Sequence, residues 1–221
     1  MSISPAVVAL SRQFRELSKS PIPGFIVSLK DDDIFEWEVG IIGPPGTAYA
    51  GGYFVATMKF PQDYPFSPPT FAFKDPFWHP NVYNDGKVCI SILHPPGDDE
   101  HGYEHANERW LPTQTPESIL LSIVSLIPDP NLSSPANVDA GVQYRNDRRG
   151  YEAKVRQQVE MSKKNIPKDV VLPITAADFV IKPPPKEIED DSFWYDDAEE
   201  DDDGDEDMDD GEDNDDQEED N

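Results

Sequence analysis

The acidic residues of this 221-residue chain are concentrated at its C-terminal end, and this uneven charge limits which part can fold. Residues 187–221 hold 23 of the 45 Asp and Glu residues and no Lys or Arg. Like charges at this density repel one another, and few apolar residues are present to form a core, so we expect disorder there. The first 186 residues carry 22 acidic against 18 basic residues, and they are the part that can form a globular domain.

The front of the chain has one helical pattern followed by four strand patterns. Apolar residues one turn apart between Pro5 and Leu17 predict an amphipathic N-terminal helix. After a turn, four runs rich in β-branched and aromatic residues alternate with turn signals. These runs are 25–29, 34–42, 53–60 and 70–73. Their short connections favour an antiparallel meander, so the sequence predicts an α+β fold.

An irregular segment at 74–112 follows the predicted strands and contains all four histidines. Long irregular segments in compact domains are usually functional. Helical patterns then return at Thr115 and at Ser134, where a capping side chain precedes a proline. A further helix is predicted from Asp147 to about Asn165.

Composition also suggests the domain organisation and the compartment. We predict a folded domain at 1–166, an extended proline-containing linker at 167–186 and the acidic tail at 187–221. One cysteine cannot form an intrachain disulfide, which favours the cytoplasm and nucleus. No apolar stretch is long enough to span a bilayer, and no basic residues precede the first apolar run, so we expect a soluble protein without a membrane partner.

The only cysteine, Cys89, lies eight residues after Asn81 in the string HPNVYNDGKVCISIL. A thiol can carry an acyl group as a thioester, and an amide side chain can stabilise the oxyanion formed when the thioester is attacked. This spacing therefore suggests acyl chemistry at sulfur. The alternative is that Cys89 is a small buried apolar residue, which is the commoner role of a lone cysteine.

Several motifs around Cys89 together resemble the catalytic core of the ubiquitin-conjugating enzymes. They are the triplet His79-Pro80-Asn81, the pattern xxxxGxVC that ends at Cys89, and FPxDYPFSPP at 60–69. Further matches are Gly43-Pro44, Gly51-Gly52-Tyr53, Trp110 and Asp129-Pro130-Asn131. The resemblance covers about residues 5–165 and implies that family's fold, a four-stranded antiparallel meander with an N-terminal helix and C-terminal helices.

The resemblance implies that Cys89 accepts ubiquitin from the activating enzyme as a thioester, which a lysine amine then attacks. ATP is used by the activating enzyme, so no cofactor is expected on this chain. Because the incoming group is already a thioester, loading needs no base beside the thiol. The carboxylates near Cys89 in the sequence are expected to disfavour its thiolate form.

The resemblance also assigns roles to residues around the thiol. Asn81 would either hydrogen-bond the oxyanion or brace the neighbouring loop, while His79 and Pro80 would shape that loop. Tyr83 would line the slot for the incoming lysine, although it could simply pack. Ser134 occupies a position where many members have an acidic residue, and it could contact the amine or only cap a helix.

Residues 97–108 form an acidic insertion relative to the shortest members of the family. This insertion fits the subclass that serves cullin-RING ligases such as the SCF complex, where it is implicated in building degradation-type polyubiquitin chains. The four residues expected to orient the acceptor ubiquitin are Asp98, Asp99, Glu104 and Glu108. Histidines at 101 and 105 could suggest a metal, but no third committed ligand accompanies them, so no metal site is predicted.

An acidic tail is the second mark of that subclass. We expect the tail to dock in a basic groove of the cullin, with Phe193, Trp194 and Tyr195 as apolar anchors. Its charge would speed association with a basic surface and would repel phosphates, so nucleic acid is not expected as a direct partner. Alternatively, the tail only solubilises the chain or binds other basic proteins, as in histone chaperones.

Six residues match the surface on which the family receives RING domains. They are Arg12, Arg15, Pro65, Phe66, Leu111 and Pro112. The two arginines also resemble the patch that meets the activating enzyme. In the alternative interpretation, the arginines form a solvated helix face and Phe66 belongs to the core.

Three other functions remain open at this point: a non-catalytic binding module, a chaperone for basic proteins and a cysteine hydrolase. The presence of Cys89 argues against the first. A hydrolase would need a histidine placed to activate the thiol. None of the four histidines lies in the C-terminal half, where such a partner often sits, although spacing alone does not exclude one.

Overall fold

The sheet has four antiparallel strands in the order β1-β2-β3-β4, so each strand pairs with its neighbour in sequence. The strands are β1 Phe25–Lys30, β2 Asp33–Ile42, β3 Tyr53–Lys59 and β4 Thr70–Phe73. They belong to a computed structural model that describes residues 4–97, 104–168 and 170–172. The meander is confirmed, and no predicted strand end is wrong by more than one residue.

One helix precedes the sheet and the others follow it, as predicted for an α+β fold. The helices are α1 Pro5–Lys19, α2 Pro116–Leu126, α3 Val138–Asn146 and α4 Arg148–Ser162. Short 3-10 turns occur at Ser91–Leu93 and Lys163–Asn165. In the ranges that the structure describes, every helix is too short or too polar to cross a membrane.

Helix α1 packs on the sheet through the apolar stripe that the sequence predicts. Leu10 is fully buried and Leu17 nearly so. The ring of Phe14 meets that of Trp37 on β2 edge to face, with centroids 5.1 Å apart. Burial of such side chains is the main favourable term in folding, at about 1.5–3 kcal/mol for each large apolar side chain.

Two of the three predicted helix starts after the irregular segment are confirmed. Thr115 caps α2 by accepting a hydrogen bond from the Ser118 backbone N–H, and the Ser118 hydroxyl accepts one from the Thr115 N–H in return. Asp147 caps α4 by accepting from the Gly150 N–H at 2.9 Å. These reciprocal or charged caps satisfy backbone donors that have no partner inside the helix.

The predicted start of α3 at Ser134-Pro135 is wrong. Ser134 is exposed and precedes the helix, which is capped by Asn137 through a hydrogen bond from the Ala140 N–H at 3.0 Å. The Asn137 backbone N–H donates to the Pro80 carbonyl at 2.8 Å, and its side chain donates to Asn84. These contacts with residues more than 50 positions away fix where α3 begins.

The segment before His79 is irregular but firmly held. Phe77 stacks on Phe73 of β4 with ring centroids 3.9 Å apart. The Trp78 carbonyl accepts a hydrogen bond from Tyr49 at 2.8 Å, and the Trp78 N–H donates to Gln158 of α4 at 2.7 Å. The sheet and α4 therefore fix the chain immediately before the HPN triplet.

Candidate active site

The backbone around Cys89 is positioned by a tight turn beside the sheet. Val82 and Val88 form a short antiparallel bridge, and the Cys89 N–H donates to the Asn81 carbonyl at 2.9 Å. Cys89 is free and half-buried. The thiol therefore lies directly beside the HPN triplet and is not enclosed in the core, contrary to the alternative in which it is a core residue.

Gly86, the glycine of the xxxxGxVC pattern, makes this turn possible. Its φ of +90° is one that residues with a Cβ rarely adopt. A Cβ at this position would lie 2.3 Å from the Phe73 carbonyl oxygen. The turn thus needs a glycine both for backbone conformation and for its close approach to β4.

His79 is buried and makes two hydrogen bonds to backbone groups. Its Nε2 lies 3.1 Å from the Leu126 carbonyl, and its Nδ1 accepts from the Asn81 N–H at 3.0 Å. Only the neutral ring with its proton on Nε2 satisfies both partners. Burial lowers the pKa of His79 to about 4. These contacts support the loop-shaping role predicted for His79.

Asn81 uses its amide to hold the loop that follows α2. Its side-chain nitrogen donates to the Asn131 carbonyl at 2.8 Å. The residue is 2% exposed, and its Oδ1 has no hydrogen-bond partner within the described residues. Of the two predicted roles, this geometry favours bracing of the loop, while the Pro80 carbonyl braces α3 from the other side of the triplet.

Tyr83 and Ser134 have different surroundings. The Tyr83 hydroxyl lies 3.7 Å from the Cys89 sulfur, and 44% of the residue is exposed at the mouth of the site. A hydrogen bond to Cys89 raises the pKa of the Tyr83 hydroxyl. Ser134 is exposed on the loop whose Asn131 carbonyl holds Asn81, and it does not cap α3. Tyr83 is thus an exposed neighbour of the thiol, whereas Ser134 is not a helix cap.

His94 is a neighbour of the thiol that the sequence interpretation missed. Its Nε2 lies 3.6 Å from the Cys89 sulfur, and its Nδ1 lies 2.8 Å from Glu104 Oε2. Cys89, His94 and Glu104 therefore form a line of thiol, imidazole and carboxylate. The signal for His94 was its position only five residues after Cys89, but the contact with Glu104 requires the insertion to fold back, which no spacing reveals.

The expectation that carboxylates near Cys89 disfavour its thiolate holds for Glu104, but it did not include His94, whose effect is larger. A hydrogen bond with His94 lowers the pKa of the Cys89 thiol and outweighs burial, which raises it. The negative charge of Glu104 acts in the expected direction, but its effect is smaller. A histidine beside the thiol is also what a cysteine hydrolase would need, so its presence alone does not separate hydrolysis from transfer.

The structure describes the acidic insertion only in part. Glu104 faces inward, since it accepts hydrogen bonds from His94 and from the Ser91 hydroxyl at 2.9 Å. Glu108 is exposed and accepts from the His105 N–H. Asp98 and Asp99 lie outside the described residues, as do the predicted tail anchors Phe193, Trp194 and Tyr195. Among the described residues, no three His, Cys, Asp or Glu side chains are arranged so that they could hold a metal ion.

The residues predicted to meet RING domains lie on adjacent segments. Phe66 is 69% exposed and therefore not a core residue, and Leu111 and Pro112 are exposed as well. The Trp110 ring N–H donates to the Pro65 carbonyl at 2.7 Å, which joins the two segments.

Helix α1 is tied to the same region. The Tyr64 hydroxyl donates to Gln13 of α1 at 2.7 Å. Arg12 is exposed and lies 3.8 Å from Glu16, whereas Arg15 is half-buried. The six predicted residues therefore belong to three segments that these bonds hold together.

Comparison with known proteins identifies the class. The family model described as "Ubiquitin-conjugating enzyme" matches residues 9–159, most of the chain. "Ubiquitin-conjugating enzyme E2 14" of Arabidopsis thaliana is 53% identical over 163 residues, which cover 73% of this chain and 98% of that protein. "Ubiquitin-conjugating enzyme E2 15" of Schizosaccharomyces pombe is 52% identical with the same coverage. "Ubiquitin-conjugating enzyme E2-34 kDa" of Saccharomyces cerevisiae is 46% identical over 202 residues, which cover 87% of this chain and 68% of that protein.

The chain belongs to the ubiquitin-conjugating enzyme family, and its fold is the fold of that family. It is an enzyme that takes part in ubiquitin transfer, and membership implies ubiquitin, an activating enzyme and a ligase as partners.

Proposed function

We propose that Cys89 is the residue that carries ubiquitin and that the charged enzyme works with cullin-RING ligases. The observation that carries the first part is a half-buried thiol whose backbone N–H is bonded to Asn81 of the buried HPN triplet. A thiol held in this way is accessible to a large acyl donor while the surrounding backbone stays fixed. No cofactor is needed on this chain, because the activating enzyme uses the ATP.

The acceptor role of Cys89 is tested by trapping the adduct. The full chain is incubated with ubiquitin, activating enzyme and ATP, and a thiol-sensitive adduct is expected on gels. Cys89→Ser should give an ester that resists thiols and is cleaved by hydroxylamine, whereas Cys89→Ala should give nothing. An adduct of unchanged yield in Cys89→Ala would show that another residue accepts ubiquitin.

The cullin-RING assignment is supported by the acidic insertion and by the acidic residues at 187–221. The match to the yeast 34-kDa enzyme covers 87% of this chain, more than the catalytic core alone. We propose that the tail docks in a basic groove of the cullin with Phe193, Trp194 and Tyr195 as anchors. Deleting 187–221 should slow ligase-dependent transfer and reduce its salt sensitivity, since steering of charged surfaces fades with salt.

In this proposal the exposed surface of Phe66, Leu111 and Pro112 receives the RING domain. Phe66→Ala should weaken ligase stimulation while leaving adduct formation with the activating enzyme intact, because Phe66 is exposed and far in sequence from the thiol. Met161→Ala, at an exposed apolar residue of α4, is the matched control. Equal loss of stimulation in both variants would contradict this surface.

The insertion would orient the acceptor ubiquitin through Asp98, Asp99 and Glu108, with Glu104 engaged at the thiol side. Neutralising the first three together should impair chain extension more than adduct formation. Equal loss in both steps would remove this role. Such chains would be of the degradation type, and we propose the cytoplasm and nucleus as the sites of action, because a lone thiol suits a reducing compartment.

A further inference from the structure

The polar groups beside Cys89 are held as an ordered chain. His94 lies between the Cys89 sulfur, at 3.6 Å, and the Glu104 carboxylate, at 2.8 Å. The other Glu104 oxygen accepts from the Ser91 hydroxyl at 2.9 Å. Glu104 therefore has a fixed orientation, and it presents negative charge to the side of the imidazole that faces away from the sulfur.

The backbone of His94 is fixed independently of its side chain. Its carbonyl accepts from the Trp110 N–H at 3.0 Å, and its own N–H donates to the Ser91 carbonyl at 2.9 Å. The Glu104 side chain is only 20% exposed and lies 3.8 Å from Arg109 Nε. An imidazole held between a carboxylate and a nucleophilic atom is the arrangement that orients a proton-handling histidine in many enzymes.

We propose that His94 is a catalytic residue of this enzyme, which as an imidazolium pairs with the Cys89 thiolate, and that Glu104 of the insertion is its positioning residue. This goes beyond the cullin-RING assignment and does not depend on it. It gives the insertion a second role, at the sulfur itself, through a single carboxylate.

The pair would act in both halves of the reaction. During loading, the Cys89 thiolate forms a C–S bond to the terminal carbonyl carbon of ubiquitin. The C–S bond to the activating enzyme breaks, and that sulfur leaves with the electron pair and takes a proton from water.

During discharge, a neutral lysine amine forms the C–N bond and the C–S bond to Cys89 breaks. The departing sulfur keeps the electron pair and is stabilised by the His94 imidazolium, while the proton lost by the amine nitrogen goes to solvent. Stabilisation of the thiolate thus helps the leaving group in the step that is chemically the more demanding.

The charged and titratable groups that face the pair agree with this assignment. Hydrogen bonds with Cys89 and Glu104 raise the pKa of His94 to about 9, although partial burial opposes this. The Tyr83 hydroxyl donates to the sulfur at 3.7 Å and also lowers the pKa of the thiol. Both shifts favour a proton on the imidazole and a negative charge on the sulfur, and Arg109 Nε lies 3.8 Å from Glu104 Oε2.

The proposal is tested by alkylation of the uncharged full chain with iodoacetamide between pH 5 and 10. Because Cys89 is the only cysteine, the rate reports on this thiol alone. His94→Gln should shift the pH midpoint of the rate upward, toward the ordinary value of about 8.5 for a free thiol. The rate at pH 7 should fall roughly 3–10-fold, a drop partly offset because a more basic thiolate is intrinsically more nucleophilic.

Glu104→Gln keeps a hydrogen-bond acceptor for His94 but removes the charge that raises the pKa of the imidazole, so the His94 ring, followed by NMR, should lose its proton at a lower pH than in the wild type. His105→Gln, at an exposed histidine of the same insertion, should leave the profile of the wild type unchanged. Thermal unfolding of each variant checks that the fold is retained. An alkylation midpoint that His94→Gln does not move would overturn the ion pair, and a His94 titration that Glu104→Gln does not move would overturn the positioning role of Glu104.

A second readout concerns turnover. Single-turnover discharge of the ubiquitin adduct to free lysine should be slowed by His94→Gln more than by His105→Gln across pH 6–9. If alkylation shifts but discharge does not, the ion pair exists without the catalytic role and the proposal is wrong in that part. Alkylation is measured without ubiquitin, so failure of adduct formation at Cys89 would be recognised separately.

Discussion

The residues on the two sides of the Cys89 thiol interact in different ways, by neutral hydrogen bonds on one side and by charges on the other. On the HPN side, His79 and Asn81 are 1% and 2% exposed and bond to backbone groups as neutral side chains. On the other side, His94 and Glu104 are partly exposed and interact as charges. The comparison indicates that the first side fixes geometry without using charge, whereas the second acts on the sulfur through charge.

Of the variants considered, Asn81→Ala should have the largest effect, which is on the rate of discharge to free lysine. Loss of the bond to the Asn131 carbonyl frees the loop beside the thiol, and we expect discharge to free lysine to fall about 10²-fold, the scale on which a misplacement of about 1 Å slows an enzyme. The pH midpoint of alkylation should stay at its wild-type value, because Asn81 carries no charge.

Asn131→Ala is the matched control for Asn81→Ala, because it keeps the carbonyl that Asn81 uses and removes only the side chain, whose bond is to the Ser133 N–H. We expect a loss below about 5-fold on the same scale. If Asn131→Ala slowed discharge as much as Asn81→Ala, the hydrogen bond from the Asn81 side chain to the Asn131 carbonyl would not explain the effect of Asn81→Ala.

Acidification should destabilise the fold through the buried His79. The pKa of His79 is lowered to about 4 in the folded state from about 6.5 when unfolded, so the unfolded chain binds the extra proton first. The stability that depends on neutral His79 is present above pH 6.5 and is lost as the pH falls toward 4, by about 3 kcal/mol. Urea unfolding at pH 7 and pH 4.5 should show this loss in wild type and a much smaller one in His79→Gln. Equal pH dependence in both would show that other groups cause the loss.

Gly86→Ala tests how firmly the turn before Cys89 is held. Its positive φ costs about 1–2 kcal/mol with a Cβ, and contact with the Phe73 carbonyl adds to that, so we expect a loss of roughly 2–3 kcal/mol in unfolding free energy. Gly46→Ala has a similar φ of +77° with no atom within 4 Å of the new Cβ, and it should cost only the first part. Similar losses in both would mean that the turn adapts.

The smallest effect is expected from Tyr83→Phe. This change removes a hydroxyl 3.7 Å from the sulfur but leaves the His94 pair in place. The rate of alkylation at pH 7 should fall about 2-fold or less, since a long, exposed hydrogen bond is weak. A larger fall than in His94→Gln would assign the lowered pKa of Cys89 to the phenol instead.

The sequence predicts the scaffold better than the chemistry, for reasons visible in particular residues. Strand ends and the caps Thr115 and Asp147 follow from local patterns, and the structure reproduces them. The start of α3 depends instead on Asn137 bonding to Pro80, which is a contact between distant parts of the chain. His94 was missed for the same reason, since its partner Glu104 approaches only when the insertion folds back.

Trp110 makes two hydrogen bonds, one toward Phe66 and one toward His94, so a mutation of Trp110 affects two sites at once. Its indole N–H holds the Pro65 carbonyl next to Phe66, and its backbone N–H holds the His94 carbonyl. A truncated side chain at 110 would disturb the turn that carries Phe66 and, through the same residue, the anchor of the imidazole. Loss of ligase response in such a mutant would therefore not diagnose a defect in docking, whereas Phe66→Ala leaves both bonds of the indole residue intact.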